Sequence, residues 1–206
     1  MADKSSQTPP AEGWEDLWAA LANCAKTPFP PGWPSDEIVL FAPEDDVHKA
    51  ITLILKSCQV SYFGNHYGFT DKEAIADIGD ILRNPKIAAM LCLDLSQSRG
   101  PTEKAALDAE GIHNFDGTSV AYGNSSHGKI SHLKVNVVDG WLTASGSTNL
   151  SLSGEQQQDN ELRISRNPLI AHLYAAKVML DHNVMLAQMR KKGSHDATSE
   201  GTSGAK

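Results

Sequence analysis

The chain has 206 residues, a formal net charge of −7 and a pI near 5.6, with 40% of its residues hydrophobic. That length can bury one good core, so one domain with appendages is expected. The acidic balance excludes a surface coated in basic charge, although it leaves room for a local basic groove, and no stretch is apolar over the ~20 residues that a spanning helix needs.

The three cysteines, at 24, 58 and 92, are scattered and odd in number. Cys58 closes an apolar helical pattern and Cys92 lies in an apolar strand run. Both are expected as buried free thiols of a reducing compartment rather than disulfides or metal ligands. Residues 1–13 carry no apolar leader, and a cytoplasmic protein is expected.

The chain divides into an arm (1–34), a body (35–190) and a polar tail (191–206) expected to be disordered. In the arm, Trp14, Leu17, Trp18 and Leu21 form one apolar stripe on a short helix, followed by a proline-rich stretch from Thr27 to Pro34. The stripe either packs on the body or offers tryptophan anchors to a protein partner. The body opens with a strand at 38–42. A helix at 43–58 follows, with Val47, Ile51, Ile54, Leu55 and Cys58 on one face. Next come a strand at 60–63 and a helix at 70–83, opened by a Thr70-x-x-Glu73 capping box. Residues 86–95 are nearly all apolar, as in a strand buried on both faces. A helix at 102–110 and short strands at 112–115 and 119–122 lead to a hairpin at 132–147. A strand at 161–165 and a helix from Asn167-Pro168 to about 190 complete the order. Alternating strands and helices predict an α/β fold with a mixed, largely parallel central sheet flanked by helices.

The run HLKVNVVDGWLTASGSTN, residues 132–149, carries the chemistry. It places His132, Lys134 and Asp139 at H-x-K-x4-D, then Gly146-Ser147-x-Asn149. At average residue usage the combination would arise by chance in roughly one chain in a million. Side chains two apart on a strand share a face, so His132 and Lys134 point the same way. Asp139-Gly140 is a two-residue hairpin signal. It pairs Val138 with Trp141, Lys134 with Ser145 and His132 with Ser147, unless a bulge shifts the register. A histidine, a lysine, a hydroxyl and an amide on one patch make a phosphate site: one group can attack phosphorus and the others can hold its oxygens. Asp139 has the opposite strand parity and starts the turn, which favours a structural role for it; Gly146 is read as a structural part of the motif as well.

This arrangement resembles the phospholipase D superfamily, whose hallmark is the same His-Lys-Asp motif followed by Gly-Ser-x-Asn and, about a dozen residues on, an acidic residue that here is Glu161 after Asn160. The specific likeness spans 132–161 and a weaker one roughly 36–190. With one motif copy, the chain is similar to the single-motif branch of small bacterial endonucleases and mitochondrial cardiolipin-hydrolase-like proteins. The resemblance implies a phospholipase D-like fold, a homodimer sharing one active site, and a metal-independent phosphodiesterase. In it His132 is the nucleophile, Lys134, Ser147 and Asn149 hold the phosphate, and Glu161 orients a histidine. DNA or RNA is the preferred substrate. A phospholipid hydrolase, or a nuclease or binding subunit of a larger defence or processing complex, are the alternatives.

Asn65, His66 and Tyr67 close the second strand, where the crevice of an α/β sheet opens, and form a second tier of site candidates. His127 and Lys129 are weaker, and the Arg190-Lys191-Lys192 cluster reads as a helix-end charge group. No paired-histidine or paired-cysteine metal spacing occurs, nor a glycine-rich phosphate loop, so neither a metal nor a cofactor is expected.

Overall fold

The computed structural model describes residues 13–200, with side chains to Lys191. Seven strands form one sheet: β1 (Glu37–Ala42), β2 (Ser61–His66), β3 (Ala88–Asp94), β4 (Val120–Gly123), β5 (Lys134–Val138), β6 (Leu142–Gly146) and β7 (Asn160–Ser165), in the order β1-β7-β6-β5-β2-β3-β4. The helices are α1 (Trp14–Ala22), α2 (Val47–Lys56), α3 (Lys72–Arg83), α4 (Leu95–Ser98), α5 (Pro101–Ala109), α6 (Leu152–Gln156) and α7 (Pro168–Glu200).

The α/β class and the helix-flanked mixed sheet stand, with five of the seven strands running one way, although antiparallel pairings outnumber parallel ones. Only β2–β3 and β3–β4 pair in parallel; the other four pairings are antiparallel. The two parallel pairs are joined by helical crossovers. The β5–β6 pair is a hairpin, which permits only antiparallel neighbours, whereas β6 and β7 are joined through α6.

Leu91 and Leu93 face the larger core, against α2 and α3, where Ile54, Ile75 and Ile78 are buried. Cys92, Ala121, Val135 and Val137 face the other way, onto Ala171, Val178 and Met185 of α7. Central strands buried on both faces explain the unbroken apolar run around residue 91. The tryptophan stripe lies against the body: Leu21 is fully buried, Trp14 and Trp18 pack on the main core, and the Arg166 guanidinium sits 4.8 Å from the Trp18 ring centroid. Large apolar side chains instead stand exposed on α7, at Leu169, Leu173 and Leu180.

Several local expectations shift. Residues 112–115 form a 3-10 helix rather than a strand, entered through Gly111 at φ +66°. Asp71, not Thr70, caps α3, its carboxylate accepting from Ala74 N. The backbone of α7 runs on to Glu200, through most of the stretch expected as a tail; no proline follows Pro168 to stop it. The ends, 1–12 and 201–206, lie outside the described residues.

Candidate active site

Strands β1, β2, β3, β4 and β6 run one way and β5 and β7 the other, so seven ends meet along one edge of the sheet: the C-terminal ends of β1, β2, β3, β4 and β6 and the N-terminal ends of β5 and β7. His66 at the end of β2 is the direct partner of Lys134 at the start of β5. Ala42 of β1 partners Asn160 of β7, and Gly146 of β6 partners Leu162.

His132 lies just before β5 and is exposed, whereas Lys134 is only 6% exposed. Lys134 Nζ is 3.0 Å from His132 Nε2 and donates to His132 O, also at 3.0 Å. An ammonium has only donors, so His132 Nε2 accepts and the ring proton sits on Nδ1. Burial lowers the Lys134 pKa below the usual lysine value. Tyr67 completes the group. Its ring is 4.6 Å from the His132 ring and 5.1 Å from Lys134 Nζ, and its hydroxyl accepts from Gln97 Nε2 at 3.0 Å.

The segment that carries His132 is pinned from behind. Ser131 N donates to the buried Asp94 carboxylate at the end of β3 (2.6 Å), and Ser131 Oγ donates to Asn65 Oδ1 (3.1 Å). Asn65 in turn donates to Asp181 of α7 at 2.9 Å, and Asp181 is paired with Lys177. Asn65 is thus fully buried and positions the loop rather than facing the crevice.

His66 is also placed in the core. It is fully buried, stacked on Phe69, with Nε2 3.2 Å from Asn136 Oδ1 and 3.3 Å from the Tyr62 hydroxyl. Burial, with Lys134 adding in the same direction, pushes its pKa down to about 3, so it is a neutral ring beneath the lysine. Of the three second-tier candidates, only Tyr67 touches His132.

The hairpin forms, with its register one residue later than the simple two-residue count. Asp139 and Gly140 both have positive φ (+54° and +70°), and Trp141 N donates to Val138 O at 3.1 Å. Trp141 is then left as an extra residue, so Val138 pairs with Leu142 and Val135 with Ser145. Ser145 therefore turns away from Lys134 toward α7, where its hydroxyl is 3.5 Å from Tyr174 Oη. The Asp139 carboxylate accepts from three successive backbone N–H groups, of Gln59 (3.0 Å), Val60 (2.7 Å) and Ser61 (2.8 Å), tying the turn to the start of β2.

The Gly146–Asn149 segment is held by the start of β7. A Cβ on Gly146 would lie 2.1 Å from Glu161 O, which leaves room only for glycine. Ser147 Oγ donates to Asn160 Oδ1 (2.9 Å) and accepts from Glu161 N (3.0 Å), and Thr148 Oγ1 donates to Glu161 O (3.0 Å). The side chain of Asn149 lies against Gly68, next to Tyr67, where an added Cβ would come within 3.2 Å of Asn149 Cγ. The Glu161 side chain is exposed and shares a shallow groove with Phe41, Ser147 and Asn160; it makes no hydrogen bond to His132. The structure thus brings His132, Lys134 and Tyr67 into one contact group and Ser147, Asn160 and the Glu161 backbone into another, with no hydrogen bond joining them. Asp94 and Ser131 were not marked by sequence spacing, because their roles depend on contacts between distant segments.

No protein-family model matches this sequence, and no curated protein does. Solved structures do match in shape. A phospholipase D family member, Nuc from Salmonella typhimurium, superposes with a TM-score of 0.60 at 18% identity, over 71% of this chain and 93% of that one. NucT from Helicobacter pylori gives 0.56 at 16% identity, over 70% and 96%. Polyphosphate kinase from Porphyromonas gingivalis gives 0.53 at 10% identity over 70% of this chain, but covers only 26% of its own length. About 70% of the chain thus has the fold of the first two of these, over nearly their whole length. No helix among the described residues is long and apolar enough to cross a membrane.

Proposed function

We propose that this chain is a phosphodiesterase of the phospholipase D type, acting on DNA or RNA as an endonuclease. The observation that carries the reading is the exposed His132 imidazole with the buried Lys134 ammonium 3.0 Å from its Nε2. It is a nucleophile beside an anion-stabilising cation on the edge where a phospholipase D fold gathers its strand ends.

The chemistry follows from that pair. His132 Nε2 attacks phosphorus, a P–N bond forms, and the P–O bond to the leaving group breaks. Lys134 moves from the ring nitrogen to a non-bridging oxygen as negative charge builds there. The departing oxygen needs a proton, and His132 has just used its lone pair. His132 of a second subunit, entering as the doubly protonated imidazolium, supplies the proton across a two-fold axis and is left neutral, then takes one from the water that breaks the P–N bond. A homodimer is therefore part of the proposal, with Ser147 fixing the segment that presents Asn149. A stable monomer with full activity would argue against the dimer.

The test is incubation of the purified chain with plasmid DNA, RNA and phospholipid vesicles in EDTA, beside a folded His132→Asn variant. Cleavage of nucleic acid by wild type, salt-sensitive through counterion release, and loss of several orders of magnitude in the variant are expected. Equal turnover by the variant would refute the nucleophile. The row of exposed leucines on α7 gives the lipid reading its one structural support, and headgroup release from vesicles alone would favour it.

A further inference from the structure

Behind the Gly146–Asn149 segment lies a second cluster of polar groups that the phosphodiesterase chemistry does not use. His48 comes from α2, Asp71 from the N-cap of α3, and Glu155 from α6. His48 Nδ1 is 2.6 Å from Glu155 Oε2 and 3.6 Å from Asp71 Oδ2. One ligand atom from each of the three lies within 4.8 Å of the others. None of the three hydrogen-bonds to His132 or Lys134.

We propose that His48, Asp71 and Glu155 form a structural site for a divalent transition-metal ion, zinc being the natural occupant. Three features point to a cation rather than to an ordinary ion pair. Glu155 is 1% exposed, and its second oxygen, Oε1, has no hydrogen-bond partner. A buried carboxylate with an idle oxygen is costly unless a cation answers it. The cluster is also acidic: the Asp71 and Glu155 carboxyl groups both face one imidazole. Finally, His48 is already oriented as a metal ligand would be. Its Nε2 is 3.1 Å from Glu73 Oε2, and Glu73 is held by Lys56 at 2.8 Å. With the ring proton on Nε2 and donated to that carboxylate, the Nδ1 lone pair faces Asp71 and Glu155, the usual support of a metal-bound histidine.

The spacing suits a tetrahedral ion. Bonds of about 2.1 Å place ligand atoms about 3.4 Å apart, close to the separation of His48 Nδ1 from Asp71 Oδ2. The shorter approach to Glu155 opens by a small turn of the partly exposed His48 ring. A nitrogen with two carboxylate oxygens, plus water in the fourth position, is a set that zinc accepts. The ion would clamp the segment after β2, which carries Tyr67 and Gly68, to the segment after β6, which carries Ser147 and Asn149. Phe69 already bridges to Leu150 there, and Asp71 N donates to Leu150 O at 2.9 Å.

The proposal goes beyond the phosphodiesterase reading and does not depend on it, because its readout is bound metal. The full chain, without a polyhistidine tag, is dialysed against zinc, passed through gel filtration and analysed by mass spectrometry for metal. About one zinc per chain is expected, with a rise in melting temperature of roughly 5 °C over the chelated protein. Glu155→Gln keeps the shape and removes the charge; Asp71→Asn keeps an oxygen to cap α3. Both should lose the zinc and the thermal shift while retaining the far-ultraviolet circular dichroism of wild type. Clearly substoichiometric zinc on the wild-type chain would overturn the site whatever the variants do, and so would stoichiometric zinc on either folded variant.

Discussion

Replacing Asp139 by alanine should unfold the hairpin turn from the strand beside it. The carboxylate collects three backbone N–H groups, of Gln59, Val60 and Ser61, at 2.7–3.0 Å. These are charge-assisted bonds, but the segment they serve is partly open to solvent, so water recovers some of each. About 1 kcal/mol per bond remains, or about 3 in all. Asp139 also has φ +54°, a left-handed conformation that costs alanine about 1 kcal/mol more than aspartate, whose side chain can bond locally. The sum, about 4 kcal/mol, corresponds to roughly 10 °C in melting temperature for a chain of this size. Asp139→Gly loses the bonds without the strain and should melt about 1 kcal/mol better than the alanine variant, and Asp139→Asn should lie between glycine and wild type. Thermal unfolding followed by circular dichroism reads all three. A fall below about 3 °C for Asp139→Ala, or glycine melting lower than alanine, would refute the account of the turn.

Other substitutions separate function from stability. Lys134→Met should abolish phosphodiester turnover yet raise the melting temperature by a degree or two at pH 7. The lysine pKa is lowered by burial, so its charged form costs folding energy below that pKa; a lower melting temperature would show that the ammonium stabilises the fold instead. His66 is neutral in the fold with a pKa near 3 and regains its ordinary value when unfolded. As pH falls from about 6.5 toward 3, the unfolded chain binds the extra proton and stability drops by about 1.4 kcal/mol per unit. His66→Gln should flatten the urea-unfolding free energy against pH by that slope, and an unchanged slope would mean the ring is not buried neutral. Ser147→Ala and Asn160→Ala remove opposite ends of one hydrogen bond, so their destabilisations should fall short of additivity by about 1 kcal/mol in a double-mutant cycle; strict additivity would place the two groups apart.

How much of this was legible in the sequence depended on how local each signal was. The pairing of His132 with Lys134 needed only a period of two, and the capped turn at Asp139-Gly140 needed only its own two residues. The register of the hairpin differs from the two-residue count because Trp141 stands as an extra residue, the bulge that the count left open. The antiparallel pairings of β2 with β5 and of β1 with β7 join segments far apart in the chain, which a local pattern does not report. His66 and Asn65 had the right address, the end of a central strand, but alternation along β2 does not reveal that both side chains are fully buried. Glu155 and His48 are 107 residues apart, and nothing short of the fold announces their contact.

The contact between Lys134 and His132 also sets the order of events at the site. While Nε2 accepts from the ammonium, its lone pair is spoken for, and a stray electrophile meets a nitrogen already engaged. An arriving phosphate draws the lysine off, since an oxyanion is the better acceptor, and the same movement frees the ring nitrogen. On the proposed chemistry the anion that is to be cut therefore arms the group that cuts it. On that chemistry the resting protein holds its nucleophile latched until a substrate of the right charge releases it.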